Sequence, residues 1–404
     1  MRSRESRIIS IRDKSALEFL IVLLAVFCLW SSSLAAAPMN GEALPGLESF
    51  DRAIIKFIEK HHIPGGSLAV SFQGKLILAK GYGYADFSVL KKVPANSRNR
   101  FRLASLSKPL TATAIMSLIE DGKLSLDSKI LPLLQGNPPQ KIRDKRLGQI
   151  TIQNLLEHRG GYNRDIRSDP MFSEKPPCPG DLASFFSENL DFAPGEKFSY
   201  SNLGYCLLGR VIEKVSGKPY EAFLKEHVLR PAGANSLEIG DSKETKPDEV
   251  CYFQDSSGGK QSPYGGFDMR ALDSCGGWIG SSVDYLKFLT SLDGQRAPAL
   301  LKPETMKVML AMPEDPTVWN RDTYYAKGFN VRKLNEGGVN FWHTGSLSGT
   351  LTLAVRGSSG YGWVVLFNRR PPDWRKLQFE MERELWQASK EIKGILHGDL
   401  FSKF

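Results

Sequence analysis

The sequence predicts an α/β (α+β) fold, in which one antiparallel β-sheet is assembled from both ends of the chain and flanked by N- and C-terminal helices. An all-helical domain is inserted between the two contributions. Three observations predict this. Near the start, "GSLAVSFQGKLILAKGYG" holds two β-rich runs joined across Gln73-Gly74, the pattern of an antiparallel hairpin. Near the end, "FWHTGSLSGTLTLAVRGSSGYGWVVLFNRR" contains two strands meeting at Ser358, Ser359 and Gly360. Between them, the chain repeats apolar residues every three or four positions, the spacing of helices. The expected division is therefore 38–95 and 290–404 for the sheet domain and 96–289 for the mainly helical one.

Each element follows from its local pattern. Leu47, Phe50, Ile54, Phe57 and Ile58 lie at helical spacing, and "IPGG" ends that segment before the first hairpin. Helices are expected in the stretch beginning at Arg102, in "TIQNLLEHRGGY", "NLGYCLLGRVIEKVSG", "YEAFLKEHVL" and "SSVDYLKFLTSL". The Ser-, Gly-, Asp- and Lys-rich stretch 235–266 reads as loop. Trp374, Leu377, Met381, Leu385 and Ala388 line one face of a terminal helix. Internal repeats and low-complexity tracts are absent.

The first 37 residues read as an export signal. Arg2, Arg4, Arg7, Arg12 and Lys14 precede the apolar run "LIVLLAVFCLW", and "SSSLAAAP" then offers the small residues that signal peptidase needs. That run is short for a membrane-spanning helix, although one extended through Ala37 would serve as an uncleaved anchor. Glu5, Asp13 and Glu18 argue against an acid-poor mitochondrial presequence. The expected location is periplasmic or extracellular, with a membrane as partner only if the leader stays uncut.

Removing residues 1–35 takes five basic and three acidic side chains, so the formal charge falls from +9 to +7. No dense Lys/Arg tract marks a nucleic-acid site, and an ordinary apolar content of 41% excludes disordered and multi-span membrane classes. Cys178, Cys206, Cys251 and Cys275 remain after the leader, and three complete disulfide connectivities are open to them. There is no CxxC pair, HExxH, GxxxxGK[ST] or GxSxG motif, so neither a metal nor a cofactor is expected.

Chemistry is concentrated in three short motifs. Ser-x-x-Lys occurs three times, at Ser88–Lys91, Ser105–Lys108 and Ser257–Lys260, but only Ser105 opens a long apolar-periodic helix. Residues three apart share a helix face there, so the Lys108 amine can reach the Ser105 hydroxyl and take its proton. The plainer alternative is a helix cap followed by a solvated lysine. Tyr200-Ser201-Asn202 is the only Tyr-x-Asn in the chain and precedes a predicted helix. A tyrosine beside cations can shuttle protons, and an amide can hold a substrate carbonyl and orient a lysine. Third, His343-Thr344-Gly345 leads into a strand, where glycine lets a substrate backbone approach, hydroxyls bind a carbonyl or carboxylate, and histidine offers a proton or partial charge.

Taken together and in this order, SxxK, YxN and HTG resemble the serine β-lactamase and penicillin-binding family, in the branch of class C β-lactamases, DD-carboxypeptidases and β-lactamase-fold esterases. "RLASLSKPLTA", "TIQNLLEHRGGY", "APGEKFSYSNLGYCLLGRVIEKVSGKPYEAFL" and "GGWIGSSVDYLKFL" are similar to that family as well, and the resemblance spans about residues 45–390. It implies Ser105 as the acylated nucleophile, with Lys108 and Tyr200 sharing acid and base work. Asn202, His343, Thr344 and Gly345 would bind substrate, and the backbone N–H groups of Ser105 and Ser346 would form the oxyanion hole. The implied substrate is a small molecule or peptide, with cell-wall-derived ones among the candidates.

The resemblance leaves substrate choice open. His343 stands where class C β-lactamases usually carry lysine, and a mostly neutral histidine attracts the β-lactam carboxylate less. That favours a peptidase or esterase over an efficient β-lactamase. A transpeptidase and a non-catalytic penicillin-binding or sensor protein are the other readings. Of the remaining histidines, His61, His62, His227 and His397 read as surface residues and His158 as a structural turn residue; Tyr162, Tyr252, Phe253 and Trp278 could line a cleft.

Overall fold

In the computed structural model, the described residues form a nine-stranded antiparallel sheet built from the two ends of the chain. The structure describes residues 37–404 apart from 88–90, 137–140, 164–167, 181, 255–261, 315–321 and 395–396. Residues 1–36 of the expected leader thus lie outside the described residues, as do Ser88 and the whole of Ser257–Lys260. No helix among the described residues is long and apolar enough to cross a membrane.

The N-terminal part supplies β1 (Met39–Ala43), helix α1 (Glu48–Lys60), and the hairpin β2 (Gly65–Phe72) and β3 (Lys75–Phe87), with the short β4 (Lys92–Pro94) paired to β3. The hairpin turns at Gln73-Gly74, where both residues have positive φ, as a two-residue β-turn of primed type requires. The C-terminal part supplies β8 (Thr323–Tyr325), β9 (Asn330–Lys333), β10 (Val339–Leu347), β11 (Thr350–Arg356) and β12 (Tyr361–Phe367). The order across the sheet is β1-β3-β2-β12-β11-β10-β9-β8, so β2 pairing with β12 joins the two ends. β1, β4, β8 and β9 are additions to the sequence reading: each is short, and β1 is exposed without apolar alternation, so only long-range pairing identifies it. The stretch read as two strands holds three, because the chain turns again between Leu347 and Thr350 to separate β10 from β11.

Between these parts the chain is mainly helical. It carries α2 (Ser107–Glu120), α3 (Asn202–Ser216) and α4 (Ser282–Leu292), several shorter helices, and a small sheet of β5 (Phe101–Arg102), β6 (Glu238–Ile239) and β7 (Trp278–Gly280) in the order β5-β7-β6. The expected loop 235–266 therefore contains β6. The terminal helix α5 (Trp374–Lys390) buries Leu377, Met381, Leu385 and Ala388 and packs with α1. Each buried leucine or methionine there contributes about 1.5–3 kcal/mol of transfer free energy.

Side-chain alternation separates the two faces of the sheet. Phe367 stacks on Phe57 of α1, whereas the adjacent Ser67 of β2 hydrogen-bonds Ser282 of α4 at 2.7 Å, so the terminal helices and α4 lie on opposite faces. Helix α2 differs from the amphipathic helix its start suggests, because nearly every residue from Ser107 to Leu118 is buried. It is the central helix, and its polar residues are satisfied internally: the Thr111 hydroxyl lies 2.7 Å from both the Tyr220 hydroxyl and the Ser274 carbonyl. Cys178 and Cys206 form a disulfide, tying the segment after Pro170–Phe172 to α3, while Cys251 and Cys275 are thiols.

Candidate active site

Three elements converge on one cleft of about 900 Å³, whose walls include Ser105, Tyr200, Asn202, His343, Thr344 and Ser346. The first is the turn before α2. β5 hands the chain to a single 3₁₀ turn, Ala104–Leu106, in which Ala104 has φ +52°, an unfavourable conformation for a residue with a Cβ. Surrounding hydrogen bonds hold it there. Leu103 N–H donates to Trp278 O at 2.8 Å, Thr352 Oγ1 donates to Leu103 O at 3.0 Å, and Tyr285 Oη donates to Leu106 O at 2.8 Å. Ser105 is left half-buried at the cleft floor, while Lys108, one turn on, is fully buried.

Lys108 Nζ has three acceptors for its three N–H bonds: Asn202 Oδ1 at 2.6 Å, the Cys275 carbonyl at 2.7 Å and Ser105 Oγ at 3.3 Å. The reading of a solvated lysine is thereby excluded. The same Nζ lies 4.7 Å from the centre of the Tyr200 ring. Asn202 opens α3, whose N-cap Ser201 accepts from Gly204 N–H at 3.0 Å. With its oxygen on Lys108, the Asn202 amide donates its Nδ2–H to Asp169 Oδ2 at 2.7 Å. Asp169 also lines the cleft.

β10 forms the third wall. Its ladder with β11 runs to Leu347↔Thr350, whereas its ladder with β9 stops at Trp342↔Asn330, so 343–347 has no strand partner on one edge among the described residues. Backbone groups on that edge are available to an extended ligand. Alternation buries His343 and Gly345 and leaves Thr344 and Ser346 half-open. Gly345 is required by proximity: a Cβ there would sit 2.2 Å from Thr352 Oγ1 and 2.6 Å from Leu103 O, beside the nucleophile turn. Gly345→Ala is expected to lower stability by about 1–3 kcal/mol through overpacking and acylation by about 100-fold through displacement of Ser105. Thermal melting and acylation rates of that variant check both, and a normal acylation rate would detach β10 from nucleophile placement.

His343 departs from the expected role. It is 2% exposed, and both ring nitrogens are engaged. Nδ1 lies 2.7 Å from the Thr344 carbonyl and so donates, leaving Nε2 to accept from the Tyr325 hydroxyl at 3.1 Å. Burial, and after it the charge on Lys108, push its pKa down to about 3. His343 is a neutral, saturated imidazole at ordinary pH. A proton donor or a partial positive charge for substrate, as its sequence context suggested, is not what this geometry supplies.

All the residues singled out in the three motifs are thus brought together. Sequence reasoning missed Asp169, Tyr325 and the Cys275 carbonyl, whereas His158 is the structural turn residue it was read as, with φ +56°. Asp169 and Tyr325 carry no motif, and a backbone carbonyl carries no side-chain signal. Of the aromatic residues considered for the cleft, Trp278 is wholly buried with Nε1 on Tyr220 Oη at 3.1 Å, and Tyr252 stacks on Arg102. Tyr162 lines an adjoining cavity with Asn202 and Asp169.

Comparison with known proteins agrees with this arrangement. The sequence profile of the Beta-lactamase family matches residues 50–381. The probable fimbrial assembly protein FimD, serogroup H1, of Dichelobacter nodosus is 35% identical over 246 residues, 59% of this chain and 60% of that protein. Protein flp of Staphylococcus aureus (strain MW2) is 35% identical over 188 residues, 46% of this chain and 36% of that protein. The chain therefore spans less than two thirds of either relative. Among solved structures, the octameric penicillin-binding protein homologue from Pyrococcus abyssi superposes with a TM-score of 0.66 at 25% identity, covering 86% of this chain and 79% of that one. The D-amino acid amidase from Ochrobactrum anthropi SV3 shares the fold with a TM-score of 0.67 at 23% identity, covering 85% of this chain and 98% of that one. A profile match over most of the sequence, on a chain whose SxxK, YxN and HTG motifs meet in one cleft, shows that this protein belongs to the Beta-lactamase family.

Proposed function

We propose that the protein is an exported serine hydrolase that cleaves an amide or ester through an acyl-enzyme on Ser105. The observation that carries this reading is the 3.3 Å contact of Lys108 Nζ with Ser105 Oγ, held by Asn202 and the Cys275 carbonyl. In the reaction, Ser105 Oγ attacks the substrate carbonyl and its proton passes to Tyr200, or to Lys108 once that ammonium has given up one of its own protons. The backbone N–H groups of Ser105 and Ser346 receive the developing oxyanion. Collapse expels the amine or alcohol, protonated from the Lys108–Tyr200 pair, and water releases the acyl group by the reverse proton path. Export draws support from the leader-like sequence and from the Cys178–Cys206 disulfide.

The neutral His343 supports a peptidase or esterase rather than an efficient β-lactamase, because it adds no cation to attract the β-lactam carboxylate. Hydrolysis of a D-alanyl-D-alanine peptide, a D-amino acid amide, a short p-nitrophenyl ester and nitrocefin, compared by kcat/KM, tests the order. A peptide, amide or ester leading nitrocefin is expected; nitrocefin leading by an order of magnitude would reverse the assignment. His343→Lys is expected to raise the acylation rate by β-lactams while lowering the melting temperature, since the new ammonium enters a buried position beside Lys108. Unchanged or slower acylation would refute the charge argument.

A further inference from the structure

We propose that His158 is the positioning residue for Tyr200, an inference that deepens the hydrolase reading and rests on Tyr200 moving protons there. His158 is 1% exposed and has φ +56°, a left-handed conformation uncommon for a residue that is not glycine. That conformation lets one residue clamp the tyrosine segment from both sides. Its carbonyl accepts from Ser199 N–H at 2.8 Å, and its Nδ1 accepts from Ser201 N–H at 3.0 Å. Between these two anchors lies Tyr200, whose ring packs against the imidazole with centroids 4.2 Å apart and a tilt of 35°.

The bond from Ser201 N–H assigns the His158 tautomer. Nδ1 accepts, so the ring proton is on Nε2, the opposite arrangement to that of His343. Phe198, Tyr205 and Tyr325 enclose the imidazole at centroid distances of 5.8, 4.9 and 4.6 Å, fixing its plane. The consequence reaches the chemistry because the Tyr200 phenol must lie within hydrogen-bond reach of the groups with which it exchanges protons. A displacement of about 1 Å in such a group lowers the rate by about 100-fold. His158 does not line the cleft, so it acts through Tyr200 and not on substrate.

The test is a double-mutant cycle combined with an NMR readout that needs no substrate. His158→Asn keeps an acceptor at the δ position and tolerates positive φ, whereas His158→Leu removes the acceptor. In wild type, His158→Leu is expected to lower kcat about 100-fold with KM changed less than about 3-fold, and His158→Asn to recover at least about a third of wild-type kcat. In a Tyr200→Phe background, His158→Leu is expected to cost less than about 2-fold more. Additive losses, or Asn no better than Leu at equal melting temperature, would overturn the proposal. If His158→Leu does not fold, His158→Gln, with its acceptor moved to the ε position, takes its place with the same expectation. Tyrosine labelled with ¹³C at Cζ gives a line assigned to Tyr200 by its loss in Tyr200→Phe. That line is expected to shift or broaden in His158→Leu and to return in His158→Asn; an unmoved line would contradict positioning. Absence of any turnover in wild type would defeat the hydrolase reading, while the NMR line would still decide the role of His158.

Discussion

Ser105→Ala is expected to lower kcat/KM by about 10⁴-fold or more on every substrate that the wild-type protein cleaves, with the fold unchanged. The expectation follows from position. Ser105 is the residue of the strained turn that faces the cleft, and Lys108 Nζ, buried behind it, touches its oxygen at 3.3 Å. Removing the hydroxyl deletes the atom that becomes acylated, whereas the turn keeps its hydrogen bonds through Leu103, Leu106 and Ser107. Equal melting temperatures with lost turnover would therefore be the signature. Turnover within about 10-fold of wild type would mean that another nucleophile or a bound water does the chemistry.

The second large effect is on stability in acid. The folded protein holds His343 neutral, with a pKa of about 3 against an ordinary value of 6.5. Between those values the unfolded chain binds a proton that the native state does not, so stability is full above about pH 6.5 and falls as pH drops towards 3. The slope from this residue reaches about 1.4 kcal/mol per pH unit, on the order of 4 kcal/mol over the whole window. Other buried groups also titrate in acid, so the comparison must isolate His343. Urea denaturation between pH 4 and 7 should show a shallower decline in His343→Gln, whose side-chain oxygen can still accept from Tyr325. Parallel profiles for the two proteins would show that His343 does not carry this linkage.

Much of the fold was legible because its signals are local. The apolar spacing that predicts α1 and α5 is the face that each buries, apart from the half-buried Trp374 at the start of α5, and Gln73-Gly74 marks the hairpin turn because both residues adopt positive φ there. Tyr200 and Asn202 were placed before and at a helix start, and Ser201 caps that helix. What escaped the sequence depends on contacts between distant segments. β1 is recognisable only through its pairing with β3, and Asp169 only through the amide of Asn202, 33 residues away. His343 shows the limit most clearly. Its motif suggested a group facing substrate, but burial and the Tyr325 hydroxyl, 18 residues earlier in the chain, decide its tautomer and charge. Ser105 itself was readable as a candidate, yet the strain at Ala104 and the Cys275 carbonyl that fixes Lys108 arise only when the chain closes on itself.

The central claim, acyl transfer through Ser105, is tested most directly by rapid-quench mass spectrometry with peptide mapping. Wild type and Ser105→Ala would each be mixed with benzylpenicillin and with an activated short-chain ester. At least one reagent is expected to add its acyl mass to the peptide containing Ser105, the added mass to decay as product forms, and Ser105→Ala to show neither adduct nor product. An adduct mapped to another residue, or product formed at the wild-type rate by Ser105→Ala, would contradict that claim.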